Sequence, residues 1–244
     1  MSVAVKLEQV AKRFGDHELF AGVDFEILRG EVFAVLGGSG CGKSTLMRLM
    51  IGLDQPTAGR INVLGHDVER ETDAVRRAIG VTFQSGALFG SLSLLENVIL
   101  PLKVFTDLPR DLLVELARTK LAMVGLLDAQ AQMPAEISGG MAKRAAIARA
   151  LALDPPLLFL DEPSAGLDPV TSAELDRLIL DLRQMLGTTF VVITHELQSI
   201  LAIADRCVML DASAKGMIAI GAPGDLKDHS PSAAVHAFFN RELK

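Results

Sequence analysis

The sequence predicts an α/β fold whose core is a largely parallel β-sheet. Short apolar runs rich in β-branched residues recur along the chain, at 32–36, 79–83, 157–160, 190–194 and 208–210. Stretches with the spacing of amphipathic helices lie between these runs. Near-continuous apolar strands that alternate with helices are typical of a parallel sheet covered on both faces.

An antiparallel flap is predicted at the N-terminus. Residues 3–10 and 23–27 are strand-like, and the turn-forming pair Gly15-Asp16 lies between them. Two short strands joined by such a turn favour antiparallel pairing. We therefore expect a β flap that leads into the main sheet, and a mixed sheet core overall.

The middle of the chain is predicted to be helical. Between Gln84 and Ser138 the strand pattern disappears, and apolar residues recur at helical spacing. Examples are Leu113, Leu116, Ala117, Leu121 and Val124. We interpret about 86–149 as an inserted helical subdomain of one domain that spans 1–244, with the remainder, about 1–85 and 150–244, forming the sheet core and the β flap.

One helix has clear signals at both ends. Asp168 is a suitable N-cap, Pro169 follows at the first helical position, and Gly187 is placed to end the helix. Between these ends, apolar residues recur at i, i+3, i+4 and i+7, namely Leu175, Leu178, Ile179 and Leu182.

The composition excludes several classes of protein. The net charge of −6 opposes nucleic-acid binding, which usually needs a basic face. The longest apolar runs are far shorter than the roughly 20 residues of a membrane-spanning helix. The N-terminus lacks the features of a secretory signal, and two distant cysteines do not form a disulfide framework. We expect a soluble cytoplasmic protein.

A phosphate-binding loop is predicted directly after the strand at 32–36. Residues 37–44 read GGSGCGKS and fit the pattern G-x-x-x-x-G-K-[ST], with a helix-like segment behind them. Backbone N–H groups of such a loop surround phosphate, Lys43 reaches the β- and γ-phosphates, and Ser44 offers its hydroxyl to Mg²⁺. The predicted nucleotide-binding residues are Gly37, Gly38, Ser39, Gly40, Cys41, Gly42, Lys43, Ser44 and Thr45.

Because Cys41 lies inside the loop, we expect thiol reagents to inactivate the protein and ATP to protect it, with an inert thiol as the alternative.

A second acidic element ends the strand at 157–160. Residues 157–163 read LLFLDEP, so that two carboxylates lie at the carboxyl end of a buried strand, where open parallel sheets bind their ligands. Asp161 is predicted to hold Mg²⁺ through water. Glu162 is predicted to orient and deprotonate the attacking water. The alternative is a pair of carboxylates that only cap the next turn.

Residues 137–151 read ISGGMAKRAAIARAL, which resembles the signature sequence of ATP-binding-cassette (ABC) ATPases, usually LSGGQ. The order of phosphate loop, signature and LLFLDEP is also that family's order. The resemblance implies a P-loop NTPase fold of the ABC type and a head-to-tail homodimer. In that dimer the signature of one subunit covers the γ-phosphate held by the other, through Ser138, Gly139, Gly140 and Met141.

Further matches extend over nearly the whole chain. Gln84 resembles the Q-loop glutamine that contacts Mg²⁺ or the attacking water, and His195 resembles the switch histidine at the γ-phosphate. With Lys43 and Glu162 they make up the predicted catalytic set. Phe14 lies where the family stacks an aromatic ring on adenine, with a buried flap residue as the alternative. A D-loop is matched by Ser164, Ala165, Gly166, Leu167 and Asp168.

The departures from the family pattern favour a subgroup. Met141 stands where the signature has glutamine and cannot form that amide hydrogen bond. SGGMAKRAAIARA, together with FQSGALFGSLSLLENVILPL, is similar to ATPases that serve Mla-type phospholipid permeases. The resemblance implies a membrane permease, an MCE-domain protein and a STAS-domain regulator as partners, and a peripheral position on the cytoplasmic face of the inner membrane.

Three rival functions stay open at this point: an ABC ATPase for a metabolite transporter, a soluble non-transport cassette, and a non-hydrolysing cassette. Two apolar segments also have two interpretations. The patch of Leu88, Phe89, Leu92 and Leu94 is either a permease-binding groove or ordinary core. The tail with Val235, Phe238 and Phe239 is either a docking segment or a terminal helix packed on its own domain.

Overall fold

The computed structural model describes residues 2–240. Its strands are β1 (Val3–Phe14), β2 (His17–Leu28), β3 (Val32–Gly37), β4 (Ala58–Val63), β5 (His66–Asp67), β6 (Ile79–Thr82), β7 (Leu157–Asp161), β8 (Thr189–Ile193), β9 (Arg206–Asp211) and β10 (Gly216–Gly221). Its helices are α1 (Lys43–Met50), α2 (Thr72–Ala78), α3 (Leu94–Phe105), α4 (Arg110–Met123), α5 (Gly139–Ala150), α6 (Pro169–Leu186), α7 (Leu197–Ile203), α8 (Pro223–His229) and α9 (Ala233–Asn240). The predicted α/β class is confirmed.

The central sheet has six strands in the order β10-β9-β3-β8-β7-β6. All neighbours are parallel except β9 and β10, so the sheet is mixed, as predicted. Every residue of β3 and β8 is buried, because helices cover one face of these inner strands, and α1 together with the N-terminal β strands covers the other. The five strands predicted here are present, whereas the antiparallel edge strand β10 was not foreseen.

The N-terminal flap is a separate four-stranded antiparallel sheet in the order β2-β1-β4-β5. β1 and β2 pair along almost their whole length, from Val3 opposite Leu28 to Phe14 opposite His17. Both strands are longer than the predicted segments, since the pairing continues up to the turn at Gly15-Asp16. The partner strands β4 and β5 were not predicted.

The predicted helix after Asp168 is confirmed as α6. The Asp168 side chain accepts hydrogen bonds from the N–H groups of Val170 (3.0 Å) and Thr171 (3.1 Å). At the other end Gly187 has a φ of 66°, a left-handed conformation in which glycine carries no steric cost. Leu175, Ile179 and Leu182 are the buried side of this helix.

The region between Gln84 and Ser138 is helical, as predicted, and α3, α4 and α5 pack on one another there. Their buried residues share one core with a face of the central sheet, for example Leu121 of α4 with Leu160 of β7. The division of the chain near 86 and 149 stays a prediction. Over residues 2–240, no helix is both long and apolar enough to cross a bilayer.

Candidate active site

The phosphate loop connects β3 to α1, and its backbone requires glycine at two positions. Gly37 has a φ of 144°, and a Cβ placed there would lie 2.3 Å from the Leu210 carbonyl oxygen. Gly42 has a φ of 96° at the N-cap of α1 and provides no side-chain cap. The first N–H groups of α1 are therefore available to an anion.

Lys43 lies over its own loop. Its ammonium donates hydrogen bonds to the carbonyl oxygens of Gly37 (2.8 Å) and Gly38 (3.0 Å). This arrangement keeps the positive charge at the mouth of the loop, beside the N-terminus of α1. The loop therefore combines a lysine, a helix N-terminus and glycine N–H groups, which is the chemistry that binds phosphate.

Two carboxylates lie at the end of β7, next to this loop. Burial raises the pKa of Asp161, and the neighbouring Glu162 raises it further, while Lys43 and Lys143 oppose the shift. Glu162 has a left-handed φ of 46°, and its N–H donates to the Ile193 carbonyl at 2.8 Å. Within residues 2–240, three buried side-chain oxygens lack a hydrogen-bond partner: Asp161 Oδ1, Glu162 Oε2 and Ser164 Oγ. A buried polar atom without a hydrogen-bond partner lowers the stability of the fold unless a ligand or a water molecule binds it.

His195 follows β8 and faces Glu162. Its Nδ1 lies 2.8 Å from Glu162 Oε1. The carboxylate is largely buried, whereas the histidine side chain is more than half exposed. One cavity of about 580 Å³ joins the loop, the carboxylate and the histidine, and it is lined by Gly37, Gly38, Ser39, Lys43, Glu162, His195, Leu197 and Phe238.

A model of the ABC transporter family matches residues 20–165, which is more than half of the chain. The chain belongs to the ABC transporter family. It is an ABC ATPase, and it binds and hydrolyses ATP. The resemblance inferred from the motifs is thereby confirmed.

Two groups of relatives agree with this assignment. The chain is 40% identical over 210 residues to the intermembrane phospholipid transport system ATP-binding protein MlaF of Haemophilus influenzae, covering 84% of this chain and 80% of that protein. The identity to MlaF of Escherichia coli is also 40%, with 84% and 78% covered. A probable ribonucleotide transport ATP-binding protein of Mycobacterium leprae, mkl, is 39% identical over 214 residues, with 86% and 62% covered.

Solved structures of similar cassettes support the fold. The cbiO1 protein of Clostridium perfringens, part of the cbiONQ ABC transporter complex, superposes with a TM-score of 0.86 at 29% identity, covering 94% of this chain and 92% of that one. The dimeric cassette MJ0796 bound to ADP and phosphate superposes with a TM-score of 0.80 at 31% identity, with 90% and 98% covered.

The ABC ATPase brings most of its predicted catalytic residues together in one cavity. The signature behaves differently, because Ser138, Gly139 and Gly140 do not line the cavity in the part of the chain described here. Ser138 instead caps α5, accepting a hydrogen bond from the Met141 N–H at 3.3 Å. Gly140 has a packing role of its own, since a Cβ there would lie 2.5 Å from Thr171 Cγ2.

Phe14 ends β1 and is 53% exposed. Its ring lies 5.0 Å from Lys12 Nζ. The alternative of a buried flap residue is therefore wrong, and the ring is accessible to a stacking partner. Stacking on adenine itself stays a prediction.

The residues of the ABC ATPase fit a magnesium ion. Asp161 Oδ1 is a buried oxygen without a protein partner, and Ser44 offers a hydroxyl at the start of α1. Mg²⁺ prefers oxygen ligands and takes few protein carboxylates. Within residues 2–240, no cluster of three or more His, Cys, Asp or Glu side chains is suited to holding a metal.

Three residues at the site, Leu197, Phe238 and Lys143, were not predicted as site residues from the sequence. Phe238 belongs to the tail interpreted as either a docking segment or a terminal helix packed on its own domain, and it lines this cavity from α9. Lys143 donates to the backbone oxygens of Gln84 and Glu162. The position of Lys143 three residues after Gly140 was a usable signal, whereas nothing local to Phe238 indicates that it lines the same cavity as the phosphate loop.

Proposed function

We propose that this ABC ATPase powers phospholipid transport through a partner membrane permease of the Mla type. The observation that carries the proposal is the 40% identity to two MlaF proteins over 84% of the chain. The MlaF proteins are also covered over 80% and 78% of their length. The mycobacterial relatives named for ribonucleotide transport are covered over 62% at most, so that the metabolite alternative has less support.

In the proposed mechanism two ATP molecules lie between two copies of the chain. The phosphate loop of one copy holds the phosphates, and Ser138, Gly139, Gly140 and Met141 of the other copy cover them. The outward position of the signature, away from its own cavity, supports this arrangement. The D-loop, residues 164–168, would cross the same interface.

In the proposed hydrolysis step, Glu162, His195 and Lys43 act from the positions that they occupy in the cavity. Glu162 Oε2 is the free carboxylate oxygen that takes a proton from the attacking water, while Oε1 is bound to His195. Lys43 holds the β- and γ-phosphates. Ser44, Asp161 and Gln84 would hold Mg²⁺, which when bound neutralises charge on the phosphate oxygens.

The permease would bind at an apolar groove of about 410 Å³ beside residues 84–89. Asn97, fully buried, fixes the backbone of Phe89 by accepting from its N–H (2.8 Å) and donating to its carbonyl (3.1 Å). The Phe89 ring is 52% exposed and lines the groove with Val104 and Phe105. Leu94, in contrast, is fully buried core of α3, so the predicted patch is only partly surface.

Through this permease the ATPase would lie on the cytoplasmic face of the inner membrane. An MCE-domain protein and a STAS-domain regulator are the further partners proposed, and nucleic acid is not one. Purification of the native membrane complex followed by mass spectrometry tests the proposal. We expect a permease, an MCE-domain protein and bound phospholipid; a permease that copurifies with ribonucleotide or another metabolite and no phospholipid would overturn the lipid assignment.

A further inference from the structure

Helix α5 is the element that carries the signature, and its first residues are exposed. Ser138 and Gly139 are exposed at its start, while its middle is packed into the shared core of helices and sheet. In the dimer proposed above, these first residues contact the nucleotide of the second copy. A single rigid helix therefore runs from the partner's nucleotide into the interior of its own subunit.

Lys143 lies one turn inside α5 and touches two functional segments of its own site. Its ammonium donates to the Gln84 carbonyl at 2.5 Å and to the Glu162 carbonyl at 3.3 Å. The Lys143 side chain is half-buried; burial lowers the pKa of its ammonium, and the negative charges of Glu162 and Asp161 oppose that shift. One side chain thus joins the signature helix to the backbone of both the proposed base and the Q-loop.

A second cation of α5 fixes the same segment further along. Arg149 donates to the carbonyl oxygens of Ala87 (2.6 Å) and Gly86 (3.3 Å). Both of those residues have a left-handed φ, 72° at Gly86 and 49° at Ala87. Residues 84–87 are neither helix nor strand, and the two cations of α5 bind the carbonyl oxygens of three of these four residues.

We propose that Lys143 is a positioning residue that links the two nucleotide sites of the dimer. When the signature of one copy contacts ATP on the other, α5 moves as a unit, and Lys143 carries Gln84 and the Glu162 backbone of its own site with it. Arg149 holds the following residues but does not touch Glu162. The inference rests on the proposed head-to-tail dimer.

Hydrogen exchange on the full chain tests the link separately from the dimer. In Glu162→Gln, Mg-ATP should slow exchange by about tenfold both at 138–142, which the partner's nucleotide covers, and at 84–87. In Lys143→Met combined with Glu162→Gln, protection should persist at 138–142 and disappear at 84–87. Equal protection of both segments in the double variant would overturn the link; absent protection at 138–142 in Glu162→Gln itself would overturn the dimer.

Steady-state ATPase measurements provide the second readout. Lys143→Met should lower kcat about tenfold while KM for ATP changes less than about twofold, because the phosphate loop is untouched. Lys143→Arg retains a charged donor and should recover most of kcat. If Lys143→Met is unstable, Lys143→Gln keeps a donor without the charge and should lose kcat less. A wild-type kcat in Lys143→Met, or an equal loss in Lys143→Arg, would overturn the positioning role.

Discussion

His195 Nδ1 lies 2.8 Å from Glu162 Oε1, and the second carboxylate oxygen, Oε2, is buried without a hydrogen-bond partner within residues 2–240. A carboxylate oxygen accepts hydrogen bonds, so Nδ1 of the ring is the donor in this contact. This contact fixes the rotation of the carboxylate. It leaves one oxygen bound to the histidine and the other directed to a ligand.

His195→Ala should therefore lower kcat by about tenfold to a hundredfold, because the base loses its orientation while ATP still binds the phosphate loop. Steady-state ATPase assays over a range of ATP concentrations measure both parameters. His66→Ala is a matched control, since His66 Nδ1 also pairs with a glutamate, Glu71, at 3.0 Å but lies in the flap. An equal effect in the two variants would contradict a role specific to the site.

Glu162→Gln should abolish most turnover, by at least about a hundredfold, because an amide cannot accept the proton of the attacking water. Glutamine keeps the shape of the side chain, so ATP binding should persist. We expect the variant to form a dimer in Mg-ATP, measured by light scattering behind size-exclusion chromatography. A variant with full activity would refute the base role. A strictly monomeric variant at saturating Mg-ATP, even with its permease, would refute the split site.

Sequence predicted those parts of the fold and the site that are encoded locally. The strands before the phosphate loop and before Asp161 are short apolar runs, and α6 carries its N-cap and its terminal glycine. β10 forms a hairpin with the adjacent strand β9, but part of its support comes from distant residues: the preceding Lys215 carbonyl accepts a bond from the Ala21 N–H at 2.9 Å. The Lys143 contacts are missed for the same reason, because they form only after α5 packs.

Phe14→Ala should raise KM for ATP about fivefold to tenfold if its exposed ring stacks on adenine, since such a contact contributes about 1 kcal/mol. Phe14→Tyr should behave as wild type. Folding stability should change little, because the Phe14 side chain is 53% exposed. A fluorescent ATP analogue measures binding directly. Unchanged affinity in Phe14→Ala would show that Phe14 does not contact the nucleotide.

Phe89→Glu should abolish copurification with the permease while ATP binding is kept. The ring is half-exposed in the apolar groove, so a charge there opposes an apolar partner without entering the core. Leu53→Glu is a suitable control, because Leu53 is 45% exposed and lies outside that groove. Normal copurification of Phe89→Glu with the permease would show that the permease does not bind at this groove.

Cys41 should react slowly with iodoacetamide at neutral pH in the folded protein. Its side chain is 2% exposed, and burial raises its pKa, although Lys43 partly offsets the shift. The reagent attacks only the thiolate, so the rate should increase with pH and should increase strongly on unfolding.

Cys207 is an internal reference for this experiment, because burial in β9 raises its pKa to about 12. In urea both cysteines should be labelled at the same rate, which peptide mass spectrometry measures site by site. Mg-ATP should slow Cys41 labelling further if the loop closes on phosphate, and should leave Cys207 unchanged. Cys41→Ala should keep ATPase activity within about twofold, since the thiol has no role in the proposed chemistry. Labelling of Cys41 in the folded protein at the rate seen in urea, with and without nucleotide, would show that the loop is open and would contradict its burial.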